Sequence, residues 1–139
     1  MVKVYSKYSN SEVKWIEKVP DHWSILPGRA CFYEKKVSNV GLVEKKVLSL
    51  SYGNIVIKPD DKLHGLVPES FETYQIIEPF DIICRPTDLQ NDRVSLRFGI
   101  SRNRGIITSA YICLKTQDNV LPEYCYLLFH VYDLKKIFY

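Results

Sequence analysis

The chain lacks most of the local patterns that announce a cofactor or a reaction. Its four cysteines, Cys31, Cys84, Cys113 and Cys125, stand far apart, with no C-x-x-C and no histidine at ligand spacing. A zinc site is therefore not expected, and the thiols read as small hydrophobes kept reduced in a cytoplasmic compartment. No stretch approaches eighteen apolar residues, and MVKVYSKYSNSEVKW at the start has no apolar signal core. Neither membrane spanning, a membrane partner nor secretion is expected. G-x-x-x-x-G-K-[ST] and G-x-G-x-x-G are both missing, so no nucleotide or other cofactor is implied. GISRNRG is not a nucleophile elbow, because its second glycine comes too late, and His22, His64 and His130 lie in unrelated contexts that suit surface or packing roles. Lysine, thirteen copies overall, is missing from residues 63 to 114.

Arginine fills that gap. Five of the six arginines, Arg85, Arg93, Arg97, Arg102 and Arg104, fall within FDIICRPTDLQNDRVSLRFGISRNRG, Phe80 to Gly105. The guanidinium fork suits bidentate contact with phosphate or with guanine, and Gln90, Asn91 and Asn103 are of the type that pairs with adenine edges. Asp81, Asp88 and Asp92 lie in the same window and would, on the plainer reading, neutralise part of it as surface ion pairs. Net charge is only +3, so distribution rather than bulk charge carries any argument for a polyanionic partner.

At 139 residues the chain fits one domain. Residues 1–12 are polar and without period, and read as a flexible arm, with order beginning near Trp15. Trp15 and Trp23 flank a Pro-Asp turn, and a short strand is expected near Trp23 to Leu26, stopped by Pro27-Gly28. Residues 29–37 read as a short helix. Val47, Leu48 and Leu50, the Tyr52-Gly53-Asn54 turn and Ile55-Val56-Ile57 read as a hairpin. Pro68, Glu69 and Glu72 suggest a short helix start, DIICR and SLRFGI read as buried strands, and Gly105 to Lys115 reads as one strand. Tyr124, Leu127, Leu128, Val131, Leu134 and Phe138 recur at three and four and mark an amphipathic helix entered at Pro122. It ends on Ile137-Phe138-Tyr139 without a cap.

One enzyme string occurs. Pro20-Asp21 followed by Glu34-Lys35-Lys36 fits the loose pattern of metal-dependent nucleases, in which two carboxylates hold magnesium and the lysine steadies water. That chemistry expects strands, whereas 29–37 reads as helical.

Taken together, WIEKVPDHW, VLSLSYG, ETYQIIEPFDIICRPTDLQNDRVSLRFG, RGIITSAYICLK and YLLFHVYDLKKIFY, in this order, resemble the target recognition domain of the specificity subunit of type I restriction-modification enzymes. The resemblance runs from about Val13 to Tyr139. It implies a mixed α/β (α+β) fold with a curved, mainly antiparallel sheet, flanking helices and a C-terminal amphipathic helix. Residues 13–121 would be the recognition domain, and 122–139 the start of the helix leading to the family's central coiled-coil region. The implied function is noncatalytic: sequence-specific reading of one half of a bipartite target in double-stranded DNA, for methylation and restriction subunits that do the chemistry. No metal, cofactor or catalytic residue is implied. The chain would be a first domain excised from a longer subunit, or else a natural half-subunit, and self-association through the last helix is left open. Contact nominees are Arg93, Arg97, Arg102 and Arg104, with Gln90, Asn91 and Asn103 as polar readers and Tyr52, Gly53 and Asn54 as a second loop. Because targets vary within the family, it is left open whether DLQND-x-x-SLR positions the fold instead of reading bases, and Arg85 is a candidate internal ion-pair residue. The rival readings are a protein-interaction module using the tyrosines and the last helix, and the magnesium nuclease.

Overall fold

The computed structural model describes residues 4–63 and 68–139, so His64 lies outside the described residues. Among the described residues ten short strands precede one helix: β1 (Tyr8–Val13), β2 (Ile16–Pro20), β3 (Phe32–Glu34), β4 (Leu48–Ser51), β5 (Asn54–Ile57), β6 (Gln75–Ile77), β7 (Ile82–Cys84), β8 (Phe98–Ile100), β9 (Gly105–Ile107), β10 (Ile112–Thr116) and α1 (Pro122–Leu134). Short 3-10 turns occupy Gly28–Ala30, Asp60–Lys62 and Pro68–Thr73. The fold is α+β, and among the described residues the ladders between these strands are antiparallel, with a parallel bridge from Val47 to Ile106 of β9. The strands form a four-stranded sheet ordered β3-β10-β7-β8 and three two-stranded ribbons, β1-β2, β4-β5 and β6-β9.

The four-stranded sheet separates two apolar layers. Ile82 and Ile83, neighbours on β7 and therefore on opposite faces, are both fully buried. Ile83 packs with Leu48, Ile55, Ile77, Ile107 and Cys113 beneath the β4-β5 hairpin, whereas Ile82 joins Phe98, Ile100, Cys125 and Phe129 beneath α1. Two-sided burial explains why β7 reads as an unbroken apolar run and not as an alternation. Each such isoleucine contributes about 1.5–3 kcal/mol. Against α1, Phe98 stacks on Phe129 with ring centres 4.7 Å apart, and Phe32 meets Phe129 edge-on at 5.1 Å. Glycine is needed at Gly105, since a Cβ there would lie 2.6 Å from the Lys46 carbonyl oxygen.

Several sequence expectations need correction. Tyr8–Val13, expected within the flexible arm, pairs with β2. Its polar sequence hides the strand because nearly all its side chains face solvent. Ser11 is the buried exception, donating its hydroxyl to the Val13 and Ile16 carbonyls. Trp23 to Leu26 forms no strand, and Trp23 instead meets Tyr124 of α1 edge-on at 5.2 Å. Residues 29–37 are not helical: after the 3-10 turn, β3 pairs with β10, and the Lys35 N–H extends the ladder to the Cys113 carbonyl at 2.8 Å. The expected single strand from Gly105 to Lys115 is two. Its first half pairs with β6 and its second with β7 and β3, and a turn between them is closed from the Tyr111 N–H to the Thr108 carbonyl at 3.3 Å.

The last helix begins at Pro122 as expected, but its apolar stripe points the other way. Cys125, Phe129 and Asp133 are buried, while Tyr124, Leu127, Val131 and Leu134 are exposed and Phe138 lies past the helix end. Among the described residues no helix is long and apolar enough to cross a membrane.

Candidate nucleic-acid interface

The loop joining β7 to β8, residues 85–97, carries the centre of the arginine segment, and its shape is set from inside. Arg97 is 2% exposed, so this guanidinium is a core element and not the surface contact expected of it. Its Nε–H donates to the Tyr139 hydroxyl at 2.9 Å, one terminal nitrogen to the carbonyls of Arg85 (3.2 Å) and Thr87, and the other to those of Asp88 (3.1 Å) and Asp92. A planar fork is the one side chain able to gather so many backbone acceptors at once, and buried carbonyls left unpaired are costly. The Arg97 N–H in turn donates to Asp133 Oδ2 at 2.5 Å.

Asp92 finishes the loop. It accepts the N–H groups of Ser95 at 2.9 Å and Val94 at 3.2 Å, and pairs with Arg85 at 2.7 Å. The Ser95 N–H above all, then the Ser95 hydroxyl, the Val94 N–H and Arg85, hold its carboxyl well below the usual carboxylate range. Arg85 is thus an ion-pair residue, as the sequence allowed, but the pair is half-buried and not internal. Within DLQND-x-x-SLR, Asp92 and Arg97 are accordingly scaffold residues, folding the loop they belong to.

This loop lies against the β4-β5 turn. Tyr52 and Gly53 both have positive φ, 49° and 77°, the requirement of a tight two-residue hairpin turn, and Asn54 opens β5 instead of sitting in the turn. Gly53 is buried, and a Cβ there would come within 2.9 Å of Leu96 Cδ1. Its carbonyl accepts the Tyr126 hydroxyl of α1 at 3.0 Å. Two loops from separate sheets therefore share one end of the domain. They present Tyr52, 90% exposed, and Val94, 89% exposed, together with the exposed Asn54, Gln90, Asn91 and Arg93. Asn91 Nδ2 donates to Asp88 Oδ1 at 2.9 Å, which orients the amide on the loop surface. Among the described residues Arg93 has no anionic partner.

The other nominees sit at the opposite end of β8. Ile82 pairs with Ile100 there, and Cys84 with Phe98 at the loop end. Arg102 is exposed, its guanidinium carbon 5.8 Å from the Phe80 ring centre. Asn103 is half-buried, its backbone held by Ser101 Oγ. Arg104 does not offer a free charge, because it pairs with Glu44 at 3.2 Å and with Glu78. The Lys46 N–H foremost, with the Lys45 N–H and Arg104, lowers the Glu44 carboxyl. The arginine segment is thus not one positive surface: Arg97 is internal, Arg85 and Arg104 are paired, and Arg93 and Arg102 stand at opposite ends of a strand.

The nuclease string is scattered. Glu34 does lie on a strand, but Asp21 follows β2 in a different ribbon and accepts the Ser9 hydroxyl at 3.1 Å, and Lys35 pairs with the buried Asp81. Among the described residues no group of three or more His, Cys, Asp or Glu side chains is placed to hold a metal ion. His22 sits in an aromatic cluster with Tyr5 and Trp23, and His130 lies beside Tyr126. Sequence reasoning missed Tyr126, Asp133 and Tyr139, the residues that hold both loops. The available signal was Asp133, a lone carboxylate within the apolar period of α1. Compared with models of known protein families and with curated proteins, the chain matches none.

Proposed function

We propose that this domain is a noncatalytic, sequence-specific reader of double-stranded DNA, of the kind found in type I restriction-modification specificity subunits. It reads one half of a split target and brings methylation and restriction subunits to it. The observation that carries this reading is the juxtaposition of the Tyr52-Gly53 turn with the loop stitched by Arg97. Together they project amides and one guanidinium without an anionic partner among the described residues, Gln90, Asn91, Asn54 and Arg93, from backbone held by Arg97 and Tyr126. Amides and guanidinium are the side-chain groups that read base edges in the major groove, and they discriminate best when their supports do not move. Arg102, at the far end of β8, is assigned to phosphate. The sequence resemblance and the α+β fold support the same reading. Work on DNA belongs to the cytoplasm, and four unpaired thiols suit that reducing compartment.

A second observation favours a protein partner as well. Tyr124, Leu127, Val131 and Leu134 follow the 3-4-3 spacing of a coiled-coil seam and are exposed, Leu127 by 57% and Leu134 by 61%. In the proposed assembly this seam packs against helices of the subunits or of another copy. The test is selection from a pool of random duplexes by gel shift. The wild-type chain enriches a short motif at low salt. Arg93→Ala relaxes one position of it or lowers the slope of log K against log salt by about 0.9, the share of one phosphate. Retarded duplex without enrichment rejects sequence reading, and no retardation at any salt leaves the protein-interaction role of the α1 seam as the better account.

A further inference from the structure

We infer that Tyr126, Asp133 and Tyr139 are positioning residues that set the two DNA-reading loops relative to each other, an inference that rests on the proposed DNA reading. The turn at Tyr52-Gly53 belongs to the β4-β5 ribbon and the loop at 85–97 to the four-stranded sheet, so no shared ladder fixes one against the other. Helix α1 and the residues after it hydrogen-bond both. Tyr126 and Asp133 are seven residues apart, two turns and about 10 Å along one face of the helix. Tyr126 donates its hydroxyl to the Gly53 carbonyl, Asp133 accepts the Arg97 N–H, and Tyr139 accepts from Arg97 Nε at 2.9 Å.

Both loops need such support. Tyr52 and Asp88 hold φ of 49° and 63°, in the left-handed region that non-glycine residues occupy only at a cost of about 1–3 kcal/mol where surrounding contacts enforce it. Arg97 turns a contact made by α1 into the path of the loop, since the guanidinium that Tyr139 fixes also gathers the carbonyls of Arg85, Thr87, Asp88 and Asp92. Base readout depends on the spacing between side chains on two loops, and a misplacement of about 1 Å is enough to lose a bidentate contact. Phosphate attraction tolerates such a shift, because it falls off gradually with distance. Loosening the strut therefore removes discrimination before it removes affinity.

The experiment compares Tyr126→Phe and Tyr139→Phe, which delete one hydroxyl each, with Tyr33→Phe on β3, exposed at the sheet edge opposite β8. Three readouts are taken on the full chain: the ratio of dissociation constants for the selected and a scrambled duplex at one salt concentration, amide hydrogen exchange of residues 52–54 and 86–96, and melting temperature. Tyr126→Phe and Tyr139→Phe lower the discrimination ratio by about two- to ten-fold, the range that loss of one hydrogen bond spans. They also speed exchange in the loop each one touches, whereas Tyr33→Phe changes neither. Asp133→Asn, which keeps an oxygen acceptor for the Arg97 N–H, retains more discrimination than Asp133→Ala. Wild-type selection with unchanged discrimination in the two loop-side variants overturns this inference and leaves DNA reading intact. An equal loss for scrambled and selected duplexes, tracking melting temperature alone, overturns it too. A wild-type chain that selects no sequence removes both.

Discussion

Replacing Arg97 separates a core arginine from a DNA-contacting one. In Arg97→Ala the carbonyls of Arg85, Thr87, Asp88 and Asp92 lose their donors, the Tyr139 hydroxyl loses its partner, and a void opens where a 2% exposed side chain stood. Breaking a buried charged network of this kind costs about 3–5 kcal/mol, a large part of the roughly 5–15 kcal/mol that holds a domain together. Arg97→Lys keeps the charge but offers three donors from a single point, so it recovers only part and still loses about 2 kcal/mol. Urea unfolding followed through Trp15 and Trp23 reads this directly. With a slope of about 2 kcal/mol per molar, the alanine variant moves the midpoint down by roughly 2 M. Arg93→Ala, on the exposed side of the same loop, stays within about 0.5 kcal/mol of wild type. The reasoning is refuted if Arg97→Ala is as stable as wild type and its only defect is a smaller salt dependence of DNA binding.

Three further outcomes follow from the same contacts. Asp92 has a folded-state pKa depressed below its unfolded value of about 4. Its contribution is therefore complete above that value and is lost as pH falls below it. The protection factors of the Val94 and Ser95 amides, corrected for the intrinsic pH dependence of exchange, should fall on acidification from about pH 4 downward, a dependence that Asp92→Asn abolishes, and loop protection indifferent to pH until global unfolding would contradict it. Gly53→Ala meets both a φ of 77° and Leu96, and should cost about 1–2 kcal/mol in chemical denaturation; a neutral result would mean the turn is not built as described. Burial above all pushes the Cys113 thiol up to about 12, helped by Asp81, and the Cys84 and Cys125 thiols up to about 11. A thiol reagent at pH 8 should thus label the buried Cys113 and Cys125 only on unfolding, and rapid labelling of Cys113 would show the core to be open.

What could be read in advance followed the strength of local signals. The β4-β5 hairpin was legible because β-rich residues flank a glycine, and α1 because proline opens a run of helical period. The direction of α1 was not legible. Two stripes compete on it, and Tyr124-Leu127-Val131-Leu134 is the more apolar, yet Cys125-Phe129-Asp133 is buried, where Phe129 packs on Phe98 and Phe32 and Asp133 accepts the Arg97 N–H. The break between β9 and β10 carries no glycine or proline and comes from pairing with different partners. β1 was hidden because a strand exposed on most sides leaves no alternation. For the arginines, composition showed where guanidinium groups gather but not which way they face. Nothing local in the sequence separates Arg93 from Arg97, whose burial is fixed by contacts with Tyr139 and Asp133 far along the sequence.

The central claim is that the end of the domain formed by the Tyr52 turn and the 85–97 loop faces DNA. Backbone amide shifts recorded while a duplex from the random-pool selection is added to the full chain test it most directly. The account predicts perturbations concentrated at residues 52–54 and 88–94. Perturbations confined to residues 101–104 or to the outer face of α1, or none at all, would contradict it.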